Sequence, residues 1–423
     1  MTAEILVMNK NGIAMAADSI VTLTTSNNTQ KTFNTANKLF SLSKIHPVAA
    51  MVSQNVFLLE YPWEIITKQF RKSLEKTEFP TLEDYLAKFL AFIGMYFTNE
   101  EQSKFVDNIV KVALNAISNH FRDELNKNPE LDDQATEELF LFVISNFESQ
   151  IESYDNYLNL SDDFFRICEE TYREIIIDSI KEIFPQITTN DEKIYRLFKI
   201  CTKFLSKDFF TPNNISEYTT LVIAGYGSFD KFPKYIGLRI FGVIGGYVLT
   251  NHYKKNEVTH ESPSCVAAFA QRDVVKTYME GINPDIENVY NGFIESSITS
   301  IFNELKNKIP IHILDTNFLS EMDQAAEKII NIGKERVAKE KRSLIDPFLQ
   351  ALNVLPKDEL SMIAENLVNL TSIRRKMSTE IETVGGPIDV LVISKGDGLV
   401  WIKRKLYFPP ELNHQYFQRY NKC

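Results

Sequence analysis

The chain opens with short apolar alternation, changes to a long stretch of helical period, and returns to strand-like patterning twice. From Ala3 to Asn55 the repeat is two: Ile5 and Val7 alternate in a first strand, Ile13 to Ala17 form a second, Lys38 to Leu42 a third and Pro47 to Ser53 a fourth. Two successive hairpins are predicted. The first is closed at Lys10-Asn11-Gly12, where an Asn-Gly dipeptide can supply the positive φ angles of a tight turn. The polar run from Thr24 to Thr35 reads as a long, solvent-facing loop between the hairpins.

From Val56 to about Pro212 apolar residues recur three and four apart, as in Tyr85-Phe89-Phe92, Val106-Val110-Leu114 and Phe140-Val143-Phe147. About six helices fit there, punctuated by Pro80 after Thr77, Asn128-Pro129, Ser161-Asp162-Asp163, and Pro185 with Thr188-Thr189. Strands return at Tyr218 to Tyr226, Tyr235 to Val243, Tyr247 to His252 and Cys265 to Phe269. Helices then cover Val274 to Met279, Ile286 to Leu305, Phe318 to Ala338 and Leu360 to Met377. Two last strands, Ile388 to Ser394 and Leu399 to Lys403, flank the turn signal Lys395-Gly396-Asp397-Gly398. Strands in blocks, separated by helices, predict an α+β protein with strands gathered into sheets and helices layered outside them, rather than an alternating parallel sheet.

Composition narrows the function classes. With 423 residues, 44% apolar and 24% charged, the chain has the makings of an ordinary globular protein with more than one core. A formal charge of -10 argues against phosphate-backbone binding, so nucleic acid is not an expected partner. No segment has the eighteen or so uninterrupted apolar residues of a membrane span, and the start does not read as a signal peptide. Cys168, Cys201, Cys265 and Cys423 show no paired spacing, which fits free thiols and a cytoplasmic setting. The six histidines, His46, His120, His252, His260, His312 and His414, make no HExxH or i, i+4 pair, so no metal is expected. Gly225-Tyr226-Gly227 and Gly245-Gly246 complete no dinucleotide or phosphate-loop pattern and read as turn glycines; no cofactor is expected.

The most informative chemistry lies at the chain start. Thr2 directly follows Met1, and Asp18 stands sixteen positions later, at the end of the second strand. A threonine hydroxyl is inert at its own pKa, but a free α-amine on the same residue, with a pKa of about 7.7–8.0, can take its proton near neutral pH. Removal of Met1 would therefore turn Thr2 into a nucleophile carrying its own base.

Thr2, the Ala-Ala-Asp-Ser run at Ala16 to Ser19, the Asn-Lys-Leu-Phe-Ser-Leu run at Asn37 to Leu42, and Val384-Gly385-Gly386-Pro387 leading into a hairpin together resemble the proteasome β-subunit family of N-terminal nucleophile (Ntn) hydrolases. The resemblance covers about residues 2–58, 218–300 and 384–405. It implies a four-layer αββα sandwich of two antiparallel sheets, discontinuous over residues 1–58 and 213–423, with extra helices at about 310–380 and a helical insert at 59–212 that is unusual for the family. It also implies a threonine-type peptidase without metal or organic cofactor, resembling bacterial members in which methionine removal alone exposes the nucleophile. In this reading Thr2 attacks, its amine is the base, Asp18 orients Lys38, and the Lys38 ammonium lowers the pKa of the threonine oxygen. Lys38 is preferred to Lys31, which lies in the polar loop. The backbone amide near Ser53, at a position usually glycine in the family, would serve the oxyanion. Val21 and Met51 would flank a mildly apolar specificity pocket.

The match departs from the family at two positions. The serine and aspartate that steady the terminal amine should fall near Gln271 and near Ile381 to Val384, and neither position holds the expected residue. Asp273, Glu380 and Glu382 are candidate substitutes. Three functional readings stay open: a peptidase acting on a peptide or protein as a homo-oligomer, a catalytically inactive scaffold that binds a protein partner through the helical insert, and an Ntn amidase acting on a small molecule.

Overall fold

A computed structural model describes residues 2–24, 30–158, 160–187, 192–208, 218–309, 316–378 and 384–421. In chain order the elements begin with β1 (Glu4–Asn9), β2 (Gly12–Ala17), β3 (Val21–Thr24), β4 (Gln30–Phe33), β5 (Leu39–Ser41), β6 (Val48–Gln54), β7 (Phe57–Leu58) and β8 (Tyr61–Pro62). Seven helices follow: α1 (Trp63–Leu74), α2 (Leu82–Tyr96), α3 (Asn99–Lys127), α4 (Asp133–Glu152), α5 (Asp162–Glu170), α6 (Arg173–Ile183) and α7 (Glu192–Phe204). Then come β9 (Thr219–Gly225), β10 (Lys234–Ile244), β11 (Tyr247–Glu257) and β12 (Ser264–Ala270). The chain continues through α8 (Arg272–Glu280), α9 (Pro284–Lys308), α10 (Thr316–Val354), α11 (Lys357–Lys376), β13 (Asp389–Ser394), β14 (Gly398–Lys403) and α12 (His414–Asn421). The protein is thus α+β. No helix among the described residues is long and apolar enough to cross a membrane.

The chain divides into two compact units, Met1–Thr35 with Val258–Val392 and Val400–Cys423, and Ala36–Glu257 with Ile393–Leu399. The first unit holds a five-stranded sheet in the order β12-β1-β2-β13-β14, with β1 antiparallel to both neighbours. Alternation sends Ala3, Ile5 and Val7 of β1 to one face, where they pack with Ala14, Ala16, Val390 and Val392 against Leu360, Ala364, Leu367 and Val368 of α11. The other face of β1 carries Thr2, Glu4, Leu6 and Met8, all buried as well.

The second unit holds a five-stranded antiparallel sheet in the order β11-β10-β9-β6-β5. One face of it packs on α1 and α2 through Trp63, Ile66, Phe70, Tyr85, Phe89 and Ile93. Helices α3 to α7 build a core of their own from Val106, Val110, Leu114, Phe140, Val143, Ile176, Ile180 and Leu197. That core also takes in Phe241, Ile244 and Leu249 of β10 and β11, so the helices of residues 59–212 share apolar contacts with the sheet of their unit.

Four local expectations need correction. The run Thr24 to Thr35 is not simply loop, because β3 and β4 pair antiparallel from Val21↔Phe33 to Thr24↔Gln30; β-branched and aromatic residues at Val21, Thr32 and Phe33 suit a pleated surface. At the first hairpin neither Asn11 nor Gly12 has positive φ, and Gly12 already pairs with Asn9. The turn is instead held by Asn9, whose Oδ1 accepts from Asn11 N at 2.8 Å, while its Nδ2 donates to the carbonyls of Leu352 (2.8 Å) and Leu355 (2.9 Å). Among the described residues between 63 and 204 there are seven helices, where about six were expected. The helix expected over 318–338 continues to Val354 with Pro347 inside it, and α12 was not foreseen.

Candidate active site

The β1–β2 hairpin determines where Thr2 lies. Glu4 pairs with Ala17, so the next rung would set Ala3 opposite Asp18. That rung is made half by backbone and half by a side chain: Asp18 N donates to Ala3 O at 3.1 Å, and Ala3 N donates to Asp18 Oδ1 at 3.0 Å. The other oxygen, Oδ2, accepts from Gly385 N at 3.0 Å. A buried carboxylate thereby ties the start of β1 to the turn ahead of β13, through bonds to a charged acceptor worth about 1.5–3 kcal/mol each. Ser19 reinforces the tie: its N–H donates to Gly385 O at 3.2 Å and its hydroxyl to Pro387 O. Gly386 carries φ +72°, which is why glycine stands there.

Thr2, next along, is 4% exposed, and its Oγ1 has no hydrogen-bond partner among the described residues. Buried hydroxyls are normally satisfied, so an orphan at a chain start calls for an explanation. Two positions on, on the same face of β1, the Glu4 side chain is fully buried between alanine neighbours, Ala17 on β2 and Ala270 on β12. Glu4 was missed by the sequence reasoning; the available signal was an acid inside an otherwise apolar strand.

In the second unit, Lys38 leads into β5 and is fully buried. Its carbonyl accepts from Val52 N at 2.9 Å, which brings it beside Ser53, one residue on in β6. Ser53 faces Thr220 across the ladder, is 1% exposed, and its Oγ lacks a partner among the described residues. A fully buried ammonium is tolerated only with compensating charge or hydrogen bonds. Thr2 and Asp18 are therefore gathered in one unit, and Lys38 and Ser53 in the other. Met51 and Val21, the expected pocket residues, are both buried.

No protein-family model matches the chain, and no curated protein is significantly similar to it.

The substitute residues separate clearly. Asp273 is engaged elsewhere, taking both bonds of Arg375 Nη2 at 3.0 Å, whereas Glu380 and Glu382 lie outside the described residues. Gln271 differs from Asp273 in having an orphan atom: its Oε1 is buried without a partner among the described residues, and its backbone is left-handed at φ 51°, ψ 51°. A non-glycine residue held in that region costs about 1–3 kcal/mol, a strain that collects at functional sites. Gln271 immediately follows Ala270, the β12 partner of Glu4, so it belongs to the same end of the sheet as Thr2.

Two of the cysteines are poorly placed as nucleophiles. Burial pushes the Cys168 thiol up to about 12, and Cys201 is raised for the same reason, so neither supplies thiolate near neutrality. No group of three or more His, Cys, Asp or Glu side chains among the described residues could hold a metal ion.

Proposed function

We propose that the chain is a proteasome-like threonine hydrolase, a peptidase that cleaves amide bonds through an acyl-enzyme on Thr2 once Met1 is removed. The observation that carries this reading is the buried, partnerless Thr2 hydroxyl at the head of a strand that Asp18 clamps from both carboxylate oxygens. Two five-stranded sheets, each with helices packed on one face, are also what an αββα sandwich would require. In the proposed reaction the α-amine takes the proton from Oγ1, and Oγ1 attacks the peptide carbonyl carbon. The amide at Ser53 stabilises the resulting oxyanion, and the amine returns the proton to the leaving nitrogen. Water then attacks the ester and releases the second product. Asp18 would orient Lys38 toward the threonine oxygen, as the resemblance implies, and Gln271 Oε1 would accept from the terminal amine in place of the family's serine. The substrate is a peptide or protein segment, and the working form is a homo-oligomer.

The test is intact mass followed by labelling. The purified protein should lack Met1, and a threonine-directed electrophile should modify Thr2 in the wild type and nothing in Thr2→Ala. Retention of Met1, or labelling that survives in the alanine variant, sinks the reading. One observation favours a noncatalytic scaffold: both oxygens of Asp18 already serve backbone amides, a structural task that needs no chemistry. An unlabelled protein lacking Met1 would support that alternative.

A further inference from the structure

Two cavities adjoin at the joint between α8 and α9. The larger, about 600 Å3, is walled by Val274, Thr277, Ile286, Leu370 and Arg374, and the smaller, about 520 Å3, by Arg336, Val337, Lys339 and Leu344. Gly281 and Ile282 line both, so the two form one groove. The joint depends on glycine: α8 ends at Gly281 with φ +74°, and a Cβ there would come within 2.5 Å of Leu344 Cδ1.

The charges around this groove are unbalanced. Lys341 pairs with Glu280 at 2.7 Å and Glu287 at 2.8 Å, a cluster with one carboxylate in excess, and Asp273 is balanced by Arg375. Arg336, Lys339 and Arg374, by contrast, form no ion pair among the described residues, and they face a single carboxylate in the same condition, Glu340. A cationic rim over an apolar floor stands out on a chain of net charge -10. Each cavity lies within the roughly 300–1,000 Å3 of a small-molecule site, and their shared wall at Gly281 and Ile282 suits an elongated ligand that occupies both. The apolar walls disfavour a phosphate chain, whereas alternating side chains of an extended peptide would meet floor and rim in turn.

We infer that the groove at the α8–α9 joint binds an extended peptide segment in which acidic residues alternate with large apolar ones. The site is independent of the Thr2 chemistry. Fluorescence anisotropy on the full chain, with a fluorescein-labelled nonapeptide alternating glutamate and leucine, should show saturable binding that weakens with added salt. The Arg336→Glu/Arg374→Glu variant should lose about tenfold or more in affinity with an unchanged melting temperature, because both side chains are exposed. The same peptide with lysine for glutamate should not bind. Equal binding of the lysine peptide, or full affinity in the charge-reversed variant, overturns the inference. So does saturation by dodecanoate without any binding of the peptide, which would assign the cavity to a single aliphatic acid.

Discussion

The start of β1 and the helical core of the second unit are equally sealed from water but built from opposite materials. Around α3, α4, α6 and α7 the buried side chains are mostly apolar; Ser179 Oγ lies 2.7 Å from Asp107 Oδ1 and 2.8 Å from Ile175 O, and the Tyr157 hydroxyl is buried without a partner among the described residues. At the start of β1 the buried residues include Thr2, Glu4 and Asp18, with one hydroxyl unsatisfied and Gln271 strained nearby in sequence register. Burial alone therefore separates nothing. What separates the two regions is the gathering of Thr2, Glu4 and Asp18 at one strand end, because every buried polar group carries a desolvation cost that apolar packing does not.

Substitutions can break this contrast. The largest effect is expected for Thr2→Ala, which should lower peptide cleavage or electrophile labelling by at least about 10³-fold while moving stability by under about 1 kcal/mol, since no hydrogen bond is lost. In the wild type the labelling rate should rise with pH as the α-amine deprotonates, levelling above about pH 8. A Thr2→Ala protein that melts far below wild type would show that the hydroxyl is structural after all.

Phe89→Ala should invert the pattern. Phe89 is fully buried with its ring centroid 4.7 Å from that of Phe70, so truncation should cost about 3–5 kcal/mol in denaturant unfolding and leave Thr2 labelling intact in the folded fraction. Asp18→Asn lies between the two. One oxygen becomes an NH2 group aimed at a backbone donor, either Ala3 N or Gly385 N, so a loss of about 2–3 kcal/mol is expected, with faster hydrogen exchange at both amides. Unchanged exchange at those amides would remove the clamp from the account.

Smaller effects sharpen the helical side of the comparison. Thr98 accepts from Glu101 N at 3.3 Å and Glu101 returns a bond to Thr98 N at 2.8 Å, a capping box at the head of α3; Thr98→Ala should cost about 1 kcal/mol in thermal unfolding. The buried thiols set a mild alkaline limit. Cys168 is held protonated up to about 12, and an unfolded thiol ionises near 8.5, so the unfolded state releases its proton first and stability falls as pH climbs above about 8.5. Between pH 7 and 9 the loss should be just under about 1 kcal/mol for this thiol, and Cys168→Ala should flatten that part of the pH–stability curve.

Much of the architecture was legible along the chain because it depends on periods of two and 3.6 residues. The alternation in Glu4–Asn9, the stripes of α2 to α4, and the final hairpin around Lys395-Gly396-Asp397-Gly398 all announce themselves locally. Where the pattern misled, a distant partner decided. The hairpin at Lys10-Asn11 takes its shape from Asn9 side-chain bonds that include carbonyls of residues 352 and 355. In α10 the helix expected to end at Ala338 runs on past Pro347 to Val354, and Leu352 is buried in the same cluster as Ile5 and Val7. The polar strands β3 and β4 lack the apolar alternation that marks the others.

The candidate site divides along the same line. The order of residue types determines, without any coordinates, that Thr2 and Asp18 stand one hairpin apart, because the β1–β2 spacing places them at the same end of two paired strands. Tertiary structure alone decides that both oxygens of Asp18 are bonded to backbone amides, that Glu4 and Lys38 are buried, and that the Thr2 hydroxyl is without a partner. Burial and hydrogen-bond satisfaction depend on which distant segments close over a residue, and no local period encodes that.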